Sequence, residues 1–379
     1  MTQPAVDPDF TDPAYDATVG TLSPATRDYL AQVAQRFPTP VEDLSLAQAR
    51  ENSQNARWRQ REPEAVAAVV HRFHSAPTAD LPVRLYYPAP APAAEAEATT
   101  ASTDCSGEST GGRTALLYLP GGGWTQGTST LSDVMARRIA NRSGAVVVTL
   151  TYQKAPEHPF PTALADVLST FDWLVAGAEE FGIDPQRIVI GGDSAGGNLA
   201  AAACLALRDA ARVAGAPDAA ATPELLIPTL AGDLGFRPAG TAVPAAQLLI
   251  YPAVDPAMNT RSYELFATGH GLTASRMVFY WNNYIAAVPG ATVNPLVAPA
   301  RAADLSDLPT ALVVTAGCDV LRDEGRAYAV ALRAAGNTAE HWEYAGTPHD
   351  FIYADGKLAA SADLVDRLGH ELQRFAGDR

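Results

Sequence analysis

Apolar residues follow two different spacings along this chain. Near the start, "SPATRDYLAQVAQRF" places Leu30, Val33 and Phe37 at helical spacing, with Ser23 at an N-cap position and Pro24 at the first helical position. "TPVEDLSLAQAR" carries a second start signal: Thr39 as cap, then Pro40, with Glu42 three residues on as a capping box. The pattern then changes to short apolar runs, at Ala67–Phe73, Val83–Tyr87, Ala115–Leu119, Ala145–Leu150, Ile188–Ile190, Gln247–Tyr251, Ala311–Thr315 and His341–Tyr344. Helical stretches separate most of them. Runs such as "GAVVVTLTY" and "AQLLIYP" are apolar on both strand faces, which predicts an α/β fold with a mostly parallel sheet covered by helices. The first two runs are close neighbours, so that pair is expected to be antiparallel.

Two stretches interrupt this order. Residues 88–112 hold no large apolar side chain and are expected to form a mobile surface loop carrying an exposed Cys105. A second insertion, about 213–243, joins a helix to a strand. The first 22 residues show no periodicity and are expected to form a loose arm.

Composition narrows the function classes. The chain has 379 residues and is 47% hydrophobic, enough for a large core. Net charge is −15, lysine occurs only at Lys154 and Lys357, and no basic stripe is present, which argues against a nucleic-acid partner. No run of about 18 apolar residues suggests a membrane span. The acidic first residues lack the pattern of a signal peptide, so a cytoplasmic protein is expected. Cys105, Cys204 and Cys318 have no metal-like spacing, and Cys204 sits in an Ala-rich helical stretch as a small apolar residue.

The chemistry concentrates in "RIVIGGDSAGGNLA". A β-run ends in Gly192-Asp193-Ser194-Ala195-Gly196, and an Ala-rich helix follows. A strand–turn–helix of this form lifts a serine above a sheet as a nucleophile. An acyl-transferring serine also needs a base and a group to orient that base. Asp319 and His349 follow in that order, each just after a β-run. Among the other histidines, His158 precedes the serine and suits a structural hydrogen bond better. Asp323 and Glu324 compete with Asp319 but lie where a helix begins and read as dipole partners. Asp350 is expected to point away from the site, and Asp193 to stabilise the turn. Upstream, "LYLPGGGWTQG" supplies a bare backbone after a strand, as a loop donating N–H groups to an oxyanion does. The donors inferred are Gly122 and Gly123, with Ala195.

Together "PGGGW", "TYQKAPEHPFPTAL", "GGDSAGGNLA", "LLIYPAVD", "HGLT", "LPTALVVTAGCDVLRDEG" and "GTPHDF" resemble the bacterial hormone-sensitive-lipase family (family IV) of carboxylesterases, from about Val83 onwards. That resemblance implies an eight-stranded α/β-hydrolase sheet and a triad of Ser194, Asp319 and His349. It implies a helical cap built from residues 1–60 and a second segment at about 256–295, over a catalytic domain of 61–379. The expected activity is hydrolysis of short- to medium-chain esters without metal or cofactor, by a monomer or homodimer. Trp124 and Phe160 are expected to line the substrate pocket. Amide or lactam hydrolysis, acyl transfer, or a non-catalytic small-molecule receptor stay open on the same scaffold. One departure stands out: the family's glycine loop usually begins with histidine, and here Pro120 stands there, stiffening the loop through its fixed φ without a side-chain donor.

Overall fold

All eight apolar runs become strands of one sheet: β1 (Ala68–Ser75), β2 (Asp80–Tyr87), β3 (Arg113–Leu119), β4 (Val146–Leu150), β5 (Ile183–Asp193), β6 (Ala246–Ile250), β7 (Thr310–Cys318) and β8 (Ala339–Pro348). The computed structural model describes residues 13–55, 57–90, 112–215, 241–285, 288 and 290–377. The strands lie in the order β1-β2-β4-β3-β5-β6-β7-β8. β2 pairs antiparallel with β1 and with β4, and every pair from β4 onward is parallel. β5, β7 and β8 run past their apolar runs, because a parallel neighbour supplies backbone partners whatever the side chains are.

The two faces of the sheet read alternate residues. Along β3, Leu117 and Leu119 enter one core and Leu116 and Tyr118 the other. The first core is closed by α5 (Thr162–Ala176), α7 (Ala195–Gly215) and α10 (Arg322–Ala334). The second is closed by α4 (Asp133–Ser143) and α11 (Ala359–Gly377). The continuous apolar runs are thus explained, since both faces are dry. Among the described residues no helix is long and apolar enough to cross a membrane.

The N-terminal segment differs from its expectation in two places. The supposed loose arm contains a helix, α1 (Pro13–Val19), whose Asp16 is buried and pairs with Arg322 at 2.6 Å and Arg261 at 2.7 Å. Local periodicity could not reveal it, because its anchors come from the far end of the chain. Residues 1–12 lie outside the described residues. The helix α2 (Pro24–Arg36) starts as expected, with Ser23 Oγ accepting from Thr26 N–H at 3.1 Å. The second start signal sits later than Thr39. Residues Val41–Asp43 form a short 3-10 turn, and the capping box belongs to Ser45 and Gln48 at the head of α3 (Leu46–Gln54). Glu42 is drawn off to another partner, the Ser275 hydroxyl at 2.5 Å. The interrupting stretches, including Cys105, fall largely at 91–111 and 216–240, outside the described residues. α6 (Ala178–Phe181), α8 (Arg261–Leu265) and α9 (Ala274–Ile285) complete the helices described.

Candidate active site

β5 ends at Asp193, and α7 starts at Ala195 with one residue between. That residue, Ser194, has φ +56°, a left-handed conformation rare for a side chain with a Cβ. The strain is held by hydrogen bonds on both sides: Ser194 N–H donates to Ile250 O at 2.8 Å, and Asn198 N–H donates to Ser194 O at 3.0 Å. Two residues on, a Cβ on Gly196 would collide with the Leu119 carbonyl of β3, so only glycine fits that approach. The turn aims Ser194 Oγ at His349, whose Nε2 is 2.9 Å away. His349 Nδ1 lies 2.6 Å from Asp319 Oδ2, and Asp319 also accepts from Leu321 N–H at 3.1 Å through Oδ1. Asp319 follows β7 and His349 follows β8, so three strand ends converge on one point. Burial opposes charge on His349, but the Asp319 carboxylate outweighs it, aided by Asp350 and Asp193, and raises the imidazole pKa above its ordinary value.

The glycine loop is fastened to this turn by Asp193. Its buried carboxylate accepts from Gly121 N–H at 2.9 Å, Tyr118 OH at 2.7 Å and Tyr353 OH at 2.6 Å. Burial pushes that carboxyl up to about 6, against the pull of these donors. The Pro120 carbonyl accepts from Tyr152 OH at 2.7 Å, so both polar groups of the Pro120–Gly121 peptide are held. Thr125 and Gln126 N–H close a turn on Gly122 O at 3.1 and 2.9 Å. Among the described residues the N–H groups of Gly122 and Gly123 donate to no backbone group. A Cβ on Gly123 would run into the Tyr280 ring of α9, so this loop also requires glycine to fit beneath that helix.

A cavity of about 220 Å³ opens over these groups. Its lining includes Ser194, His349, Gly122 and Gly123 from the strand-end loops, Leu30, Val33 and Trp58 from the N-terminal segment, and Leu272 and Tyr280 from the segment between β6 and β7. Trp124 and Phe160 are not part of it. Both are buried, at 1% and 2% exposed, and Trp124 stacks flat on Tyr284 of α9 at 4.4 Å between ring centres. Phe160 N–H donates to Tyr284 O at 2.9 Å. These two aromatics tie the strand-end loops to α9 from below instead of facing a ligand. Their large apolar surface serves the core, where such residues are most often found.

The competing acids have other partners. Asp350, expected to point away, instead lines the cavity and pairs there with Arg59 at 2.7 Å. Asp323 accepts from Ser262 N–H at 2.8 Å, and Glu324, fully buried, accepts from Val254 and Asp255 N–H at 2.7 and 3.3 Å. They are first-turn residues of α10, as expected, but they brace the chain after β6 in place of a bare helix end. Cys318 ends β7 in a buried position, and burial pushes its thiol up to about 12, far from a reactive thiolate. Sequence reasoning missed Tyr118 and Tyr353, the partners of Asp193, and Arg59 and Arg276 in the cavity wall. The carboxylate inside the serine motif was the one available signal for the tyrosines.

Residues 116–353 match the family described as having the α/β hydrolase fold. The carboxylic ester hydrolase LipN of Mycobacterium tuberculosis is 36% identical over 271 residues, covering 70% of this chain but 65% of LipN. The ethyl acetate hydrolase of Pseudomonas putida is 33% identical over 66% of this chain and 69% of its own length. Among solved structures, the α/β hydrolase LAE6 from the metagenome of Lake Arreo, Spain, superposes with a TM-score of 0.76 at 31% identity, over 94% of this chain and 99% of that one. With a matching family model, relatives at this identity and the sheet order given above, the chain belongs to the α/β-hydrolase fold family, in its hormone-sensitive-lipase-like branch.

Proposed function

We propose that this protein is a serine carboxylesterase acting through Ser194, His349 and Asp319. The observation that carries the reading is the pair of contacts at 2.9 and 2.6 Å that link hydroxyl, imidazole and carboxylate in one line. In this mechanism His349 Nε2 takes the Ser194 proton as Oγ attacks the ester carbonyl. Asp319 holds the Nδ1–H tautomer and balances the imidazolium. Charge gathers on the former carbonyl oxygen, where the free N–H groups of Gly122 and Gly123, with Ala195 at the α7 N-terminus, act as donors. The tetrahedral centre then collapses. The C–O bond to the alcohol breaks, and His349 returns the proton to the leaving oxygen. Water attacks the acyl-enzyme by the same route and frees Ser194.

No metal or organic cofactor enters this scheme. The names of LipN and the ethyl acetate hydrolase fit ester chemistry. The cavity volume and its apolar lining favour short or medium acyl chains, and the segments 13–59 and about 256–295 act as the cap that sets this limit. A cytoplasmic location stays part of the proposal on the sequence pattern alone.

The test is turnover of 4-nitrophenyl butyrate together with fluorophosphonate labelling. Wild type should do both. Ser194→Ala should lose about 10⁶-fold in kcat and all labelling. An unlabelled wild type, or a variant that keeps its turnover, defeats the proposal.

A further inference from the structure

The cavity above Ser194 is lined by two kinds of group. Leu30, Val33, Phe37 and Leu272 make part of it apolar. Asn52, Ser53, Asn55, Arg59 and Arg276 bring polar atoms into the same space. An ester acyl chain has no use for two guanidinium groups, so their partners matter.

Most charged groups here are already satisfied. Arg59 pairs with Asp350 at 2.7 Å and donates to Tyr29 OH at 2.9 Å. Asp193 accepts from its three donors, and His349 sits between Asp319 and Ser194. Arg276 is different. It stands in the first turn of α9, lines the cavity and makes no ion pair among the described residues; its Nε is buried with no hydrogen-bond partner. Glu42, from the turn packed against α9, does not line the cavity; its Oε1 accepts from Ser275, and its Oε2 meets no donor. Arg59 Nε is likewise buried and unmatched.

A guanidinium cannot shed its charge, so an unpaired one in a partly dry cavity is a cost unless a ligand answers it. Its planar fork suits a carboxylate, which takes two parallel N–H bonds. The net charge of −15 works against an anion at long range. Salt screens that field within about 8 Å, whereas a contact inside the cavity is screened far less.

We infer that the site takes esters bearing a carboxylate away from the scissile bond, paired by Arg276. This rests on the esterase reading above. The apolar lining then holds the methylene portion, and the guanidinium selects the acidic end.

Two matched substrate pairs test it and separate the two places a carboxylate can lie. 4-Nitrophenyl hemiadipate against its terminal amide puts the charge on the acyl side. 4-Carboxyphenyl butyrate against its carbamoyl counterpart puts it on the alcohol side. Wild type should prefer the acid over the amide in kcat/KM in at least one pair. Arg276→Gln should reduce that preference about tenfold, Arg276→Lys should retain part of it, and Arg276→Glu should reverse it. Because the readout is a ratio within one variant, a general loss of folding or activity cancels. Equal or amide-favouring ratios in wild type for both pairs overturn the inference. So does a wild-type preference that survives in Arg276→Gln. Both results leave the esterase reading intact provided the amides are hydrolysed; failure to hydrolyse any of the four would sink that reading as well.

Discussion

The floor and the roof of the cavity are built differently. On the floor, the side chains of the reacting line and of Asp193 all have assigned partners. Asp193 alone ties the serine turn to β3, to the glycine loop and to the turn after His349. On the roof, Arg276 and Glu42 keep unmatched polar atoms, and contacts with the floor run through stacked aromatics such as Trp124 and Tyr284. The floor is over-determined, as a reacting geometry held to a fraction of an ångström must be. The roof leaves polar capacity for whatever enters. On the proposed mechanism, reaction type resides in the floor and selectivity in the roof.

The comparison breaks most sharply at the imidazole. Asp319→Asn should leave the fold intact and lower kcat about 10⁴-fold, because an amide no longer fixes the Nδ1–H tautomer; kinetics on a variant with a wild-type melting curve would check this. The roof's attachment can be cut instead. Trp124→Ala removes a fully buried ring from beneath α9 and should cost about 3–5 kcal/mol of stability, read by denaturant unfolding. A floor residue outside the reacting line gives the next test. Asp193→Ala frees the glycine loop from Tyr118 and Tyr353 and should lower kcat at least about tenfold with a smaller change in KM, since loosened donors act mainly in the transition state. A rise in KM with kcat unchanged would move Asp193 from floor to roof.

The pH profile sharpens the same point. In the proposed mechanism His349 works as a base only when neutral, and its pKa is raised, so activity should rise with pH through a midpoint above the ordinary histidine value of about 6.5. Asp319→Asn should move that limb down, because it removes the charge that favours the imidazolium. The smallest effect belongs to the roof's edge: Ser45→Ala should cost about 1 kcal/mol through loss of the α3 capping box, with little change in kcat.

Much of the floor could be read before any coordinates. Ser194 was legible because a strand, a tight turn of small residues and a helix follow each other within a few positions. Asp319 and His349 were legible because both directly follow apolar runs, in an order the chemistry makes meaningful. The roof was not. Its residues make contacts with partners hundreds of positions away, and nothing near Thr39 or Trp124 announces them. Trp124 and Phe160 were assigned to a pocket on residue type, whereas burial against α9 placed them in the core. The α1 helix is the extreme case, since its Asp16 is held by Arg261 and Arg322.

The sequence by itself determined the alternation of strands and helices, the two-faced burial of the sheet and the identity of the groups at its strand ends. Those follow from spacing, and spacing is local. Only the tertiary structure decided which aromatics pack and which line the cavity, which acids brace a loop, and that Arg276 makes no ion pair among the described residues. Those outcomes depend on which surfaces meet once the chain closes, and no periodicity along the chain encodes the partner across a gap.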